Sequence, residues 1–153
     1  MEIREIRSNR REYLGLLLMA DEQEDMIDRY LERGEMYGLF DPGIRAVCVV
    51  TDEGGGVLEL KNLAVEPESR GKGYGREMIH FLCRRYGKDF RLLQAGTGDS
   101  PLTVSFYEAC GFVRSHVVKD FFTKHYREPI IEAGVLLRDM VYFRMEFHGE
   151  DQE

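Results

Sequence analysis

A surplus of basic residues is missing from this chain. Its 153 residues hold 21 Lys and Arg against 28 Asp and Glu, a formal charge of −7. Broad nucleic-acid binding needs a basic surface, so that class is set aside. The charge is compatible with a cationic or amine partner, although surplus acid on a small protein is commonly plain solvated surface. Metal-ligand spacing is missing too. The three thiols Cys48, Cys83 and Cys110 lie far apart in sequence, and an odd number does not make a disulfide framework. His80, His116, His125 and His148 lack ligand spacing as well. Reduced thiols, a cytoplasmic location and no metal are the expectation. Long apolar runs are absent near the start: Leu14 to Ala20 falls short of the roughly 20 residues of a membrane span. Charge from Glu2 through Arg11 interrupts any signal-peptide pattern, so no membrane is expected. No repeat, low-complexity tract or linker divides the sequence. Residues 1–153 read as one domain, long enough to bury a real core.

What is present is a run of changing periods. Ile3 and Ile6 mark a short first strand. From Arg10 to Arg33 the period is helical, with apolar stripes at Tyr13, Leu14, Leu17 and Leu18, then Met26, Ile27, Tyr30 and Leu31. The acidic stretch Asp21 to Asp25 starts the second helix, where negative charge suits the dipole, and Gly34 stops it. Strands follow at Met36–Phe40, Ile44–Thr51 and Val57–Val65, joined by an Asp41-Pro42-Gly43 turn and a Gly54-Gly55-Gly56 connection. A helix after Gly73 carries Tyr74, Met78, Leu82 and Tyr86 on one face and ends at Gly87. Phe90 to Ala95 is a strand candidate, and Gly96 to Pro101 reads as a second glycine-bearing loop. Ser100 before Pro101 reads as an N-cap for a helix that Gly111 ends. Phe112 to Lys119 is a strand, the segment with Phe121, Phe122, His125, Tyr126 and Pro129 a loop, and Leu137 to Phe147 the last strand. Gly149 to Glu153 reads as a polar, frayed tail. The order β-αα-βββ-α-β-α-ββ is α+β, a mixed, mostly antiparallel central sheet flanked by helices.

One stretch organises the rest: Leu58 to Phe81, where a strand passes through an acidic loop and a glycine turn into a helix. Glycines before a helix N-terminus suit an anion, because amides converge there and the dipole favours negative charge. The phosphate-loop pattern GxxxxGK[ST] fails, since Gly73 follows Gly71-Lys72. The dinucleotide pattern GxGxxG fails twice: Gly71 and Gly73 lead to Arg76, and Gly96 and Gly98 lead to Pro101. The pattern RxxGxG is met by Arg70, Gly73 and Gly75.

Together with Leu60-Lys61-Asn62-Leu63-Ala64-Val65 before it and Phe106-Tyr107-Glu108-Ala109-Cys110-Gly111-Phe112 after it, this motif resembles the GCN5-related N-acetyltransferase (GNAT) superfamily. The helix–strand order matches from end to end. Gly96 to Ser100 and Asp120-Phe121-Phe122 are further similar to a subgroup of small bacterial acetyltransferases.

The resemblance implies an acetyl-CoA-dependent N-acetyltransferase acting on a primary amine, small molecule or peptide, by direct transfer. It implies that Arg70, Gly71, Lys72, Gly73, Tyr74 and Gly75 hold the pyrophosphate of acetyl-CoA, and that Leu63, Ala64 and Val65 offer backbone to its arm. Ser100 stands where the family often places an asparagine on that arm; the N-cap reading competes. Tyr107 matches the tyrosine near the CoA sulfur and would act as general acid; a tyrosine packed before a glycine cap is the plainer alternative. Glu59 aligns with a strand glutamate that serves some members as general base; an exposed glutamate paired with Lys61 is its alternative. By period 2, Glu59 shares a face with Lys61, Leu63 and Val65. The acidic run Asp21 to Asp28 lies in the helical pair that lines the acceptor side in this family, where it either attracts an amine or forms a solvated face. A homodimer through the C-terminal edge strands is a further implication. A second function stays open, a CoA-binding regulatory or interaction module without turnover.

Overall fold

Apolar residues at alternating and helical spacings fold into the elements of the computed structural model, which describes residues 1–147. In chain order these are β1 (Glu2–Glu5), a 3₁₀ turn (Arg10–Tyr13), α1 (Leu14–Ala20), α2 (Glu24–Ile27), β2 (Glu35–Phe40), β3 (Ile44–Asp52) and β4 (Val57–Val65). Then come α3 (Tyr74–Tyr86), β5 (Leu92–Gly98), α4 (Pro101–Ala109), β6 (Val113–Val118), α5 (Phe121–His125), the short strands β7 (Ile131–Glu132) and β8 (Val135–Leu136), and β9 (Met140–Glu146). Seven strands form one sheet in the order β1-β2-β3-β4-β5-β9-β6. Every pair is antiparallel except β4 with β5. The fold is the expected α+β arrangement.

Two apolar clusters hold helices to the two faces. Met78, Ile79 and Leu82 of α3 pack with Leu58, Leu60, Leu93, Tyr107 and Phe143 on one face. Leu17 of α1 and Ile27 of α2 pack with Val47, Val49 and Ala64 on the other. Burying side chains of this size contributes roughly 1.5–3 kcal/mol each.

Strand β4 departs from regularity in two ways. A bulge lies at Lys61: Val49 faces Asn62 while Val50 faces Leu60. One extra residue flips the alternation. Leu63 and Val65 therefore continue the face of Leu58 and Leu60 toward α3, while Ala64 joins the α1 side and Asn62 Nδ2 donates to Leu17 O at 3.0 Å. The expected shared face of Glu59 with Leu63 and Val65 does not survive this bulge. The second departure is a parting. The parallel pairing covers only Val57–Leu60 with Leu92–Ala95. Beyond it β4 stays with β3 as far as Val65, and β5 stays with β9 as far as Gly98. The sheet opens between them.

Several local expectations change. The helical stretch 10–33 breaks into short pieces, and Asp21, with φ −142° and ψ 101°, interrupts it before α2 begins at Glu24. Gly96 and Gly98 are not loop residues but the end of β5. A Cβ on Gly96 would lie 2.6 Å from Met140 Sδ, and one on Gly98 2.5 Å from Leu137 Cδ1, so these glycines serve close approach. The segment after β6, read as a loop, contains α5 and the β7–β8 hairpin, whose Phe122 and Ile130 bury with Leu137 as a third small cluster. Elements this short carry no periodic signature. The expected tail, Gly149 to Glu153, and His148 lie outside the described residues.

Gly34 ends the helical region as expected, but for a steric reason: a Cβ there would sit 2.7 Å from Val50 O. Gly15, within α1, has open space around it. Gly34→Ala is therefore expected to lower the unfolding free energy by about 1–3 kcal/mol, as overpacking does. Gly15→Ala is expected to leave it unchanged or raise it by up to about 1 kcal/mol through helix propensity. Urea denaturation of the two variants checks both.

Candidate active site

Where β4 and β5 part, a cavity of about 520 Å³ opens. Its walls are Leu60–Val65 of β4, Gly96–Gly98 of β5, and Phe106 and Tyr107 of α4. Ligands in open α/β sheets enter at the carboxyl ends of parallel strands, and the only parallel pair among the described strands ends here.

The glycine loop lies beside this opening. Gly71 and Gly73 take φ of +79° and +88°, a conformation that glycine adopts without a Cβ penalty. The first intrahelical-type bond is donated by Glu77 to Gly73 O at 3.0 Å. Among the described residues, the backbone N–H groups of Gly71 through Arg76 have no acceptor. That leaves a run of free amides at the N-terminus of a 13-residue helix, a favourable place for an anion. Gly71, Lys72 and Gly73 are exposed, while Arg70 and Gly75 line the cavity. Arg70 Nε donates to Val65 O at 3.3 Å. Gly75 is buried, and a Cβ on it would meet Phe106 Cε1 at 3.0 Å, so its size lets α3 close on α4. Tyr74 sends its hydroxyl away from the amides, to Asp41 Oδ2 at 2.6 Å.

Tyr107 joins a packed ring to an unpartnered hydroxyl. Its ring is core, stacked on Phe143 at 5.7 Å and edge-on to Phe112 at 5.3 Å. Its hydroxyl has no hydrogen-bond partner among the described residues, and it is not among the polar atoms sealed from solvent. Burial pushes its pKa well above the ordinary phenol value, so the proton stays on the oxygen.

Ser100 occupies the N-cap position of α4, yet its hydroxyl does not bond an amide of the helix. It donates to Glu132 Oε1 at 3.1 Å and contacts Thr103 Oγ1 at 3.2 Å. It lies behind the cavity wall, which Thr103 and Glu132 help to form. Glu59 is buried rather than exposed, and it does not line the large cavity. It opens onto a smaller adjoining one of about 180 Å³. There its carboxylate meets Lys61 Nζ at 2.7 Å and accepts from Gln94 Nε2 at 2.6 Å. Leu63, Ala64 and Val65 line the large cavity together.

A further polar group was not singled out from the sequence. Asp21 lines both cavities. Tyr30 donates to its Oδ2 at 2.9 Å and Tyr126, from 105 residues away, to its Oδ1 at 2.5 Å. Asn62 Nδ2 donates to the Tyr30 oxygen at 3.1 Å, while Asn62 Oδ1 is buried without a partner among the described residues. Burial raises the Asp21 pKa, and the two tyrosine hydrogen bonds offset part of that rise. In the structure Asp21 is the C-cap of α1, where the helix dipole disfavours a negative charge, rather than the start of the second helix as the sequence suggested. Among the described residues no group of three or more His, Cys, Asp or Glu side chains could hold a metal. No helix among them is long and apolar enough to cross a membrane.

Free amides suit an anion, a parted strand edge suits an extended amide-bearing chain, and a phenol on the wall can donate a hydrogen bond. Comparison with known proteins identifies the family of the chain. The profile of the acetyltransferase (GNAT) domain matches residues 32–114. A Bacillus subtilis (strain 168) protein named "Uncharacterized N-acetyltransferase YvbK" is 36% identical over 135 residues, covering 85% of this chain and 86% of the relative. A GNAT family acetyltransferase from Elizabethkingia anophelis, solved with acetyl-CoA bound, is 30% identical with a TM-score of 0.88, covering 95% of this chain and 97% of that one. A Bacillus subtilis acetyltransferase solved in complex with CoA is 32% identical with a TM-score of 0.88, covering 96% and 99%. The protein is an acyltransferase. The chain belongs to the GNAT acetyltransferase family.

The raised pKa of Asp21 has a measurable sign. The folded state holds this proton more tightly than the unfolded chain does, so Asp21 favours folding at low pH. That contribution is lost as pH rises from the ordinary value of 3.8 through the folded value. Asp21→Asn removes it. The melting temperature of the variant minus that of the wild type is expected to climb over the window just above pH 3.8. A level difference would show the folded state to leave the proton affinity unchanged, and a falling one would show the aspartate to be stabilised in its charged form.

Proposed function

We propose that this protein, a single domain over residues 1–153, transfers the acetyl group of acetyl-CoA to a primary amine by direct attack. The observation that carries the reading is the run of acceptor-free amides from Gly71 to Arg76 at the mouth of the cavity between β4 and β5. Relatives solved with acetyl-CoA or CoA support it. A cytoplasmic location goes with that cosubstrate.

The cosubstrate supplies a thioester, an acyl group joined to a good leaving sulfur. The chain's own residues do the rest. The amides of Gly71 to Gly75, with Arg70 and Lys72, bind the pyrophosphate. The free edge of Leu63, Ala64 and Val65 pairs with the amide-bearing arm as a further strand would. Ser100, bonded to Glu132 and Thr103, holds the cavity wall in place. In the transfer a C–N bond forms between the amine and the acetyl carbon, and the C–S bond breaks. The sulfur leaves with the electron pair and is protonated, and the amine gives up one proton. Tyr107 donates a hydrogen bond to the departing sulfur and passes its proton there as charge develops. Glu59, tied to Lys61 and Gln94, takes the amine proton through water in the smaller cavity.

No thiol on the chain competes as an acyl carrier. Burial pushes the Cys48 thiol up to about 12 and raises that of Cys110 as well. Cys48, Cys83 and Cys110 are all absent from the walls of both cavities. Strand β6, exposed along its whole length at one edge of the sheet, is where a second copy would pair.

Two measurements test the reading. Acetyl-CoA is expected to raise the melting temperature, and thiol is expected to appear when an accepted amine is added. Tight CoA binding without thioester consumption across a broad amine panel would instead make the protein a CoA-binding module. Tyr107→Phe is expected to lower kcat by about 100-fold or more, while the Kd for acetyl-CoA changes by less than about threefold, because the lost hydroxyl acts only as charge develops. Gly73→Val forces a branched side chain into φ +88°. It is expected to weaken acetyl-CoA binding by about tenfold or more through that strain.

A further inference from the structure

The smaller cavity adjoins the larger and shares Asp21, Lys61 and Tyr126 with it. If the larger takes the thioester, the smaller is where the acceptor waits. Its volume of about 180 Å³ lies below the roughly 300–1,000 Å³ of pockets for drug-sized ligands, so it suits a small acceptor.

Its charges pair off unevenly. Lys61 is tied to Glu59 at 2.7 Å, and Arg33 to Glu53 at 3.0 Å. Two charged groups on the walls remain. Asp21 has no ion pair among the described residues; two tyrosine hydroxyls and the backbone of Gln23 fix its orientation. Arg29 has neither an ion pair nor a side-chain hydrogen bond among them. Arg29, exposed and also bearing on the Asp25 carboxylate, lines the same small cavity as Asp21, so the two groups flank one space. Asn62 Oδ1 beside this network is an acceptor with no donor among the described residues. Burial works against the charge on Asp21, and an incoming ammonium would restore it. The remaining wall is apolar and aromatic, with Met26, Phe121, Met140 and Tyr142.

We propose that the acceptor is a small α-amino acid with an apolar side chain, its ammonium held by Asp21 and its carboxylate by Arg29. This rests on the transferase reading. The planar guanidinium of Arg29 matches a carboxylate with two parallel hydrogen bonds, which makes it the group that selects for the acid. Asp21 holds the nitrogen at the junction of the two cavities, facing the thioester. The ammonium first gives one proton through water to Glu59, its lone pair then attacks, and its second proton balances the one taken by the departing sulfur. The side chain lies on the methionine and aromatic wall.

The test uses the purified protein with methionine, leucine and phenylalanine, each compared with its carboxamide and with its decarboxylated amine. Thiol release gives kcat/KM, and calorimetry on the CoA-saturated protein gives binding without turnover. The acids are expected to exceed the amides and amines by about tenfold or more in kcat/KM. Arg29→Gln is expected to erase that preference, bringing the acids down to the amides and leaving the amides unchanged, while Arg29→Lys keeps part of it. Equal use of acid, amide and amine overturns the proposal, and so does an Arg29→Gln variant that loses all three alike. Turnover of simple amines with no preference for the acid leaves the transferase reading standing and removes only this one. Arg29-dependent binding of amino acids without thiol release removes the transferase reading and the acceptor role with it, leaving only an amino-acid site. Neither binding nor turnover in any of the nine compounds overturns this proposal, and acetyl-CoA protection then decides the other separately.

Discussion

The backbone of β4 has to satisfy its hydrogen bonds on two edges, and beyond Leu60 it has a partner on only one. Everything at the site depends on that. An unpaired strand edge inside a protein is costly unless water or a ligand completes it. Here the cost is concentrated over a few residues, because β3 keeps β4 through Val65 and β9 keeps β5 through Gly98. Each half of the sheet keeps its own partner strand, so the gap between them persists. The bulge at Lys61 sorts the side chains around the gap. It sends Leu63 and Val65 to the α3 core and Asn62 to the α1 side, where its amide reaches Leu17 and Tyr30.

Rigid packing sets the walls of the gap. Gly75 allows α3 to lie against Phe106, Gly96 and Gly98 allow Met140 and Leu137 to close behind β5, and Phe143 carries the ring of Tyr107. The tyrosine gains its position from the core, and the same burial raises its pKa, so both follow from a single placement on α4. The side of the gap at Asp21 is built from polar groups instead. A carboxylate at the C-terminus of α1 is held by hydroxyls from the turn after α2 and from the segment after α5. Gln23 Nε2 also donates to His125 O at 3.2 Å, and Arg127 meets Asp25 at 2.7 Å, so the same two segments are joined by further contacts beside Asp21.

Long periodic segments were legible in the sequence. The amphipathic face of α3, the three-strand meander and the Gly111 cap after α4 stand where spacing put them, and the Gly111 φ of +99° shows why that residue is glycine. The conformation of the glycine loop was legible because both its residues and its place between strand and helix suit free amides and positive φ. Other features were not legible, for physical reasons. A bulge adds one residue without changing composition, so the face of Glu59 was assigned by a period that Lys61 breaks. Gly96 and Gly98 have the composition of a turn, but their purpose is contact with side chains roughly 40 residues away. The hydroxyl of Ser100 was read as a local cap, and a glutamate on the distant β7 takes it instead. Asp21 was read with its acidic neighbours as solvated surface or an amine lure. Its role in the structure depends on Tyr126, a contact across 105 residues that no local pattern encodes.

The central claim is that the amides of Gly71 to Arg76 are free because they belong to a cosubstrate's phosphates. Titrating ¹⁵N-labelled protein with CoA and following each amide resonance tests it most directly. The account predicts large shifts at Gly71, Gly73 and Gly75, saturating together with the resonances of Leu63 and Val65. CoA binding that leaves the Gly71–Arg76 amides unmoved while other residues shift would contradict it.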